Sequence, residues 1–150
     1  MLDVVVIVNF LKALEVYVDK LKELRPASME RWKTDIENYW AITHGLQLAI
    51  QVLIDASNHI LSGANLAAPP DYKEALLEMG RNRVLPMAFA EKISGMAGMR
   101  NIIIHRYLGV DPQKVFEAVH NDLDDFNVFA EHIYDYLRRE GYVTPPDESS

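Results

Sequence analysis

The sequence predicts an all-α fold, an antiparallel bundle of four to five helices of unequal length. Three observations carry this expectation. Apolar residues recur at helical spacing along almost the whole chain. No segment alternates apolar and polar residues for long enough to make a strand. Proline, serine, aspartate and glycine fall between the apolar stripes, where helices begin and end.

In the first segment Ile7, Leu11, Leu14, Val18 and Leu21 step by fours and threes, one stripe on a helix of about residues 3–24. Pro26 ends it by pushing its predecessor out of helical geometry, and Ser28 can cap the next helix. That second helix is expected to be long, about residues 29–62. Its seam runs without a break through Trp32, Ile36, Tyr39, Thr43, Leu46, Ile50, Leu53, Ser57 and Ile60. Thr43 and Ser57 are small enough for close helix approach, and Gly63 can stop the helix. After the loop "GANLAAPP" comes a short helix, about 71–79, ended by Gly80. Pro86 suits the first turn of a fourth helix reaching about Arg106. Asp111-Pro112 reads as an N-cap followed by a proline at the first helical position. The fifth helix then carries Val115, Phe116, Val119, Leu123, Phe126, Phe129, Ile133 and Leu137 to a stop near Gly141. Residues 1–140 are expected to form one domain. The tail 141–150, "GYVTPPDESS", is too polar and proline-rich to fold alone.

Composition narrows the function. The chain of 150 residues is 49 % hydrophobic and has no cysteine, which excludes a disulfide framework, zinc-thiolate sites and cysteine nucleophiles. The run "VVVIV" is far too short for a membrane span and no signal-peptide pattern precedes it, so a cytoplasmic setting with no membrane partner is expected. The net charge of -7 speaks against broad coating of nucleic acid, and DNA is not expected as a partner. Charge is uneven, however. Residues 80–114 hold 6 basic and 2 acidic residues, whereas the segments on either side are net acidic. Either a solvated basic face or a local anion site would account for this.

Within the basic segment lies "MRNIIIHRYLG", residues 99–109. A helical wheel places Met96, Met99, Ile102 and Ile103 on a core stripe and turns Arg100, Asn101, His105 and Tyr107 away from it, with Ile104 inside the polar arc. Asn101 and His105 are one turn apart. An imidazole can move a proton near neutral pH, and a guanidinium forks onto phosphate and stabilises charge growing there. With no metal-ligand cluster and no nucleophilic side chain beside the histidine, metal-free attack on a phosphodiester is the natural chemistry. RNA supplies its own nucleophile, the 2′-hydroxyl. A histidine near a helix C-terminus also interacts well with the dipole, and nearby arginine or tyrosine can simply pack.

Other candidates are weaker. Glu117 and His120 form half of a di-iron motif without a second copy. Asp55 and His59, four apart on the second helix, read as a hydrogen-bonded pair and are candidates for a supporting role. His44 and His132 read as surface or interface residues. Trp32, Tyr39 and Trp40 read as core or dimer packing rather than base stacking. No cofactor or metal is expected.

"RNIIIHRY" fits the pattern Arg, four residues, His, any residue, Tyr. It resembles the signature of the HepT-like ribonuclease toxins of the HEPN superfamily. The order of "LQLAIQVLIDASNHI", "PPDYKEALLEMG", the motif helix and "GVDPQKVFEAV" is similar to that family's layout over about residues 1–138. The resemblance implies a homodimer with a composite cleft where two motif helices meet, and metal-independent cleavage of RNA. It implies Arg100 and His105 as the catalytic pair, supported by Asn101. It implies a minimal nucleotidyltransferase antitoxin as partner, able to cap Tyr107 with AMP. A phosphate ester there would compete with RNA for the same cations. The other function weighed is a non-catalytic helical subunit that binds nucleotide or docks onto a nucleotidyltransferase.

Overall fold

A computed structural model describes residues 2–64, 66, 71–104 and 112–142, with only the backbone of Ile104. His105, Arg106, Tyr107, Asp111 and the tail from 143 onward lie outside the described residues. Seven helices are found among the described residues: α1 (Val4–Leu24), α2 (Met29–Lys33), α3 (Ile36–Gly63), α4 (Tyr72–Arg81), α5 (Met87–Ile104), α6 (Pro112–Asn121) and α7 (Leu123–Arg139). The fold is all-α as expected, but the count of four to five is corrected to seven, because two of the long stripes are broken.

The first break separates α2 from α3. Asp35 accepts a hydrogen bond from the Asn38 backbone N–H at 3.0 Å and starts a new helix there. The apolar spacing runs on through Trp32, Tyr39 and Thr43, which is why spacing alone does not show the break, but Ile36, expected in the seam, is turned out to solvent at the start of α3. The second break, at Asp122, divides the expected fifth helix into α6 and α7. The Asn121-Asp122 pair favours turn geometry over helix interior. His120 straps the end of α6 to the chain after α1, its Nε2 lying 2.8 Å from the Pro26 carbonyl and its Nδ1 2.9 Å from the Phe116 carbonyl. The ring also stacks on Phe116 at 4.1 Å. His120 is thus a structural link.

The expected stripe of α1 is buried in full and packs antiparallel on α3, with Phe10 near His59 at one end and Leu21 near Gly45 at the other. Gly45 suits this close contact, since a Cβ would stand 3.0 Å from Leu21 Cδ2 and the leucine would have to give by a few tenths of an ångström. α4 and α5 form a second antiparallel hairpin. Gly80, expected to end the short helix, instead lies inside α4 at a close crossing. A Cβ on it would sit 2.7 Å from both Ala90 Cβ and Met87 Sδ. α7 runs back along α1 and buries Phe126, Phe129, Ile133 and Leu137, while Lys22 of α1 pairs with Asp124 at 3.3 Å. Gly141, at φ +80°, closes the C-terminal end of α7, where the Tyr142 N–H donates to the Leu137 carbonyl at 2.8 Å. Among the described residues no helix is long and apolar enough to cross a membrane.

Candidate active site

α5 carries the motif, and its orientation differs from the expected one. The helix is apolar on nearly all sides, "MAFAEKISGMAGMRNIII", so periodicity assigns it no inner face. The buried residues are Ala90, Ile93, Ser94, Ala97 and Ile103. Ile102, expected in the core, is 40 % exposed, and Gly95 and Gly98 are exposed near it. The helix is therefore rotated relative to the expected wheel, and Arg100 sits on its inner flank, half-buried between α3 and α4.

Three groups hold Arg100 there. Its Nε donates to Gln51 Oε1 of α3 at 2.8 Å. Its Nη1 donates to the side-chain oxygen of the adjacent Asn101 at 3.1 Å. Its guanidinium lies over the Tyr72 ring at the start of α4, 4.8 Å from the centroid. Gln51 is itself held, because its amide nitrogen donates to Asp55 Oδ1 at 2.8 Å, one turn along α3. All three direct partners of the guanidinium are neutral, and among the described residues no carboxylate touches it. The positive charge is aimed but not cancelled. Asn101 is exposed beside it.

The structure brings together Arg100, Asn101 and, through Gln51, Asp55. His59 does not join them. Asp55 bonds to Gln51 rather than to His59, which corrects the expected pair. The His59 ring meets Phe10 edge-on at 6.2 Å, and its Nε2 is buried without a hydrogen-bond partner. The reason is angular: α1 packs over the side of α3 that carries His59, while Gln51 and Asp55 face α5 and solvent. His105 and Tyr107 lie outside the described residues. Gln51 and Tyr72 are not among the residues to which the sequence points. A glutamine four residues before an aspartate is a common helix-surface pair, and nothing local marks it as an arginine's partner. His132 packs on Phe89 at 5.1 Å. Trp32 is buried, with Tyr39 tilted against it at 4.9 Å, as expected for core packing, whereas Trp40 is exposed.

Next to the motif, α3, α5, α6 and α7 enclose a cavity of about 190 Å³ floored by Leu46, Ile50, Met96, Met99 and Phe126. Lys92 and the buried Asp125 pair across its rim at 2.9 Å. That hydrogen bond, and the attraction behind it, hold the Lys92 ammonium above its usual range. Asp122 beside them accepts no hydrogen bond from Lys92 among the described residues, although the Lys92 charge pulls its carboxyl the other way. Burial first, then repulsion from Asp125, pushes its carboxyl above the usual range. Among the described residues no group of three or more potential ligands could hold a metal ion.

Known proteins share this architecture. Residues 14–133 match the family model "Ribonuclease HepT-like". The tRNA nuclease HepT of Aphanizomenon flos-aquae is 29 % identical over 136 residues, spanning 91 % of this chain and 92 % of that protein. The mRNA nuclease HepT of Shewanella oneidensis is 25 % identical over 103 residues, spanning 69 % of this chain and 77 % of that protein. Among solved structures, a tri-AMPylated Shewanella oneidensis HEPN toxin in complex with MNT antitoxin superposes with a TM-score of 0.80. It is 22 % identical, and the match covers 90 % of this chain and 99 % of that one. YutE of Bacillus subtilis, a cytosolic protein of unknown function, superposes with a TM-score of 0.76 at 17 % identity, covering 91 % of this chain and 94 % of that one. At these identities the superpositions speak for the fold, while the family match spans most of the chain. The chain belongs to the ribonuclease HepT-like family.

Proposed function

We propose that this protein is a metal-independent endoribonuclease, the toxin of a toxin–antitoxin pair, which cuts RNA in a cleft shared by two copies of the chain. The observation that carries this reading is the state of Arg100. It is fixed from two neighbouring helices by an amide and an aromatic ring, yet no carboxylate among the described residues consumes its charge. A guanidinium taken partly out of water for packing alone is ordinarily matched by a carboxylate, since a desolvated charge costs least when paired. One held by neutral groups keeps its forked donors for an anion such as a phosphodiester.

In the reaction, the ribose 2′-oxygen attacks the adjacent phosphorus and the bond from phosphorus to the 5′-oxygen breaks. The products carry a 2′,3′-cyclic phosphate and a free 5′-hydroxyl. His105 moves the proton taken from the nucleophile or given to the leaving oxygen, a contribution of about 10²–10⁴ in rate. Arg100 stabilises the negative charge that builds on the non-bridging oxygens. Asn101 steadies the guanidinium from the exposed side. The two relatives named as nucleases support the substrate class, one for tRNA and one for mRNA. The tri-AMPylated toxin bound to its antitoxin supports a nucleotidyltransferase partner and AMP capping at Tyr107. A cytoplasmic setting fits both RNA substrate classes.

Purified protein incubated with RNA in the presence of a chelator should generate cyclic-phosphate ends, and His105→Ala should not. Equal cleavage by both proteins removes His105 from the mechanism. Absence of cleavage by either, together with tight binding of nucleotide or of the nucleotidyltransferase, selects the non-catalytic subunit instead. Intact mass after co-expression with the antitoxin should rise by whole AMP increments in the wild type and stay unchanged in Tyr107→Phe.

A further inference from the structure

Ile36, Trp40, His44, Gln47 and Gln51 recur at steps of four and three, so they share one face of α3. At one end of that face Gln51 holds Arg100. At the other end Trp40 is 57 % exposed and Ile36 60 % exposed, among the largest apolar side chains left open to solvent. Eleven residues separate Trp40 from Gln51, about 16 Å along the helix axis. Beside Ile36 opens a pocket of about 210 Å³, lined by Trp32, Lys33, Ile36, Tyr39 and Pro112. Its wall at Pro112 is the first residue of α6, which comes after the segment bearing His105 and Tyr107 in the sequence. Lys33, on the rim, has no carboxylate partner among the described residues.

We propose that Trp40 and this adjoining pocket form a stacking platform for an unpaired base of the RNA, a few nucleotides from the bond that is cut. The inference rests on the ribonuclease reading above. Each component matches what a single strand offers. An aromatic face takes a base of any sequence, and a free ammonium takes a backbone phosphate. The helix face that continues to Gln51 leads to the guanidinium that takes the scissile phosphate. A second copy of the chain is the competing occupant of an apolar patch. The Lys33 ammonium, without a carboxylate partner among the described residues, and the shared face of α3 that ends at the Arg100 partner Gln51 favour RNA.

The platform has a readout separate from catalysis, because the chain has only two tryptophans and Trp32 is 1 % exposed. In the His105→Ala protein, a single-stranded oligoribonucleotide should quench tryptophan emission. Adding Trp40→Phe should remove most of that quench, because Trp32 lines the pocket wall but exposes only 1 % of its surface. In the otherwise wild-type protein, Trp40→Ala should raise KM for single-stranded RNA by roughly five- to hundredfold, and Trp40→Phe should recover most of it. The value of kcat should stay unchanged. A protein that still cuts RNA, with a wild-type KM in Trp40→Ala and no quench, overturns the platform and leaves the ribonuclease reading standing. A shift in oligomeric state in Trp40→Ala with unaltered RNA binding assigns the patch to a contact between copies and also overturns it. A wild-type protein that cuts no RNA removes the ribonuclease reading, and the quench then decides the platform alone.

Discussion

Replacing Gln51 by leucine removes the hydrogen bond that aims Arg100 while keeping the volume of the side chain. The wild-type contact joins a charged donor to a neutral acceptor at 2.8 Å. Such bonds contribute about 1.5–3 kcal/mol where water is partly excluded. Arg100 is half-buried and keeps its contact with the Tyr72 ring, so the guanidinium should stay in place but turn more freely. If the orientation is used in the transition state, kcat/KM for RNA should fall by roughly ten- to hundredfold, at about 1.36 kcal/mol per decade. Thermal unfolding should show only a modest loss, because Arg100 is half-buried and keeps its contacts with Tyr72 and Asn101. The loss should appear mainly in kcat, because a misaimed cation still attracts phosphate. The assay is steady-state cleavage of a labelled RNA in chelator, with thermal unfolding as the control. A Gln51→Leu protein as active as the wild type, in a series where Arg100→Ala is inactive, refutes the claim that the Gln51 bond positions the guanidinium.

Packing and electrostatics set three further outcomes. Asp122→Asn should raise Tm slightly at pH 7, because the wild-type carboxyl, exposed overall but partly desolvated, is held above its usual range by that desolvation and by the charge of Asp125. Linkage fixes the sign. The folded state holds the Asp122 proton more tightly than the unfolded state, so deprotonation costs stability as pH rises past the unfolded value, and the gain from Asn should vanish in acid where wild-type Asp122 is protonated. A gain equal at acidic and neutral pH would remove charge as the cause. Gly80→Ala should lower the urea midpoint, since the new Cβ meets Ala90 Cβ at 2.7 Å and overpacking costs typically about 1–3 kcal/mol. By contrast Gly95→Ala, whose Cβ meets nothing within 4 Å, should stabilise by up to about 1 kcal/mol through helix propensity.

Much of the architecture can be read from particular residues. The stripe from Ile7 to Leu21 specifies both the length and the inner face of α1, because that helix has one apolar side. Ser28 is legible as a cap, and it accepts from the Arg31 N–H at 3.3 Å. Gly63 and Gly141 are legible as helix ends. The break at Asp35 is not, because the spacing of apolar residues continues across it even though Ile36 ends up exposed. Gly80 looks like a terminator when only its sequence neighbours are in view, whereas its role is set by Ala90 and Met87 on the next helix.

The sequence by itself determined the helical class, the element order, the basic segment and the spacing of Arg100, Asn101, His105 and Tyr107, all local properties of pattern and chemistry. Only the tertiary structure decided which way α5 faces. That helix is apolar nearly all round, so its rotation is chosen by the neighbours it packs on rather than by its own periodicity. The rotation turns Ile102 outward and sets Arg100 between Gln51 and Tyr72, residues 49 and 28 positions away in the chain. Partners at that separation are chosen by how whole helices pack, and no local pattern carries that information.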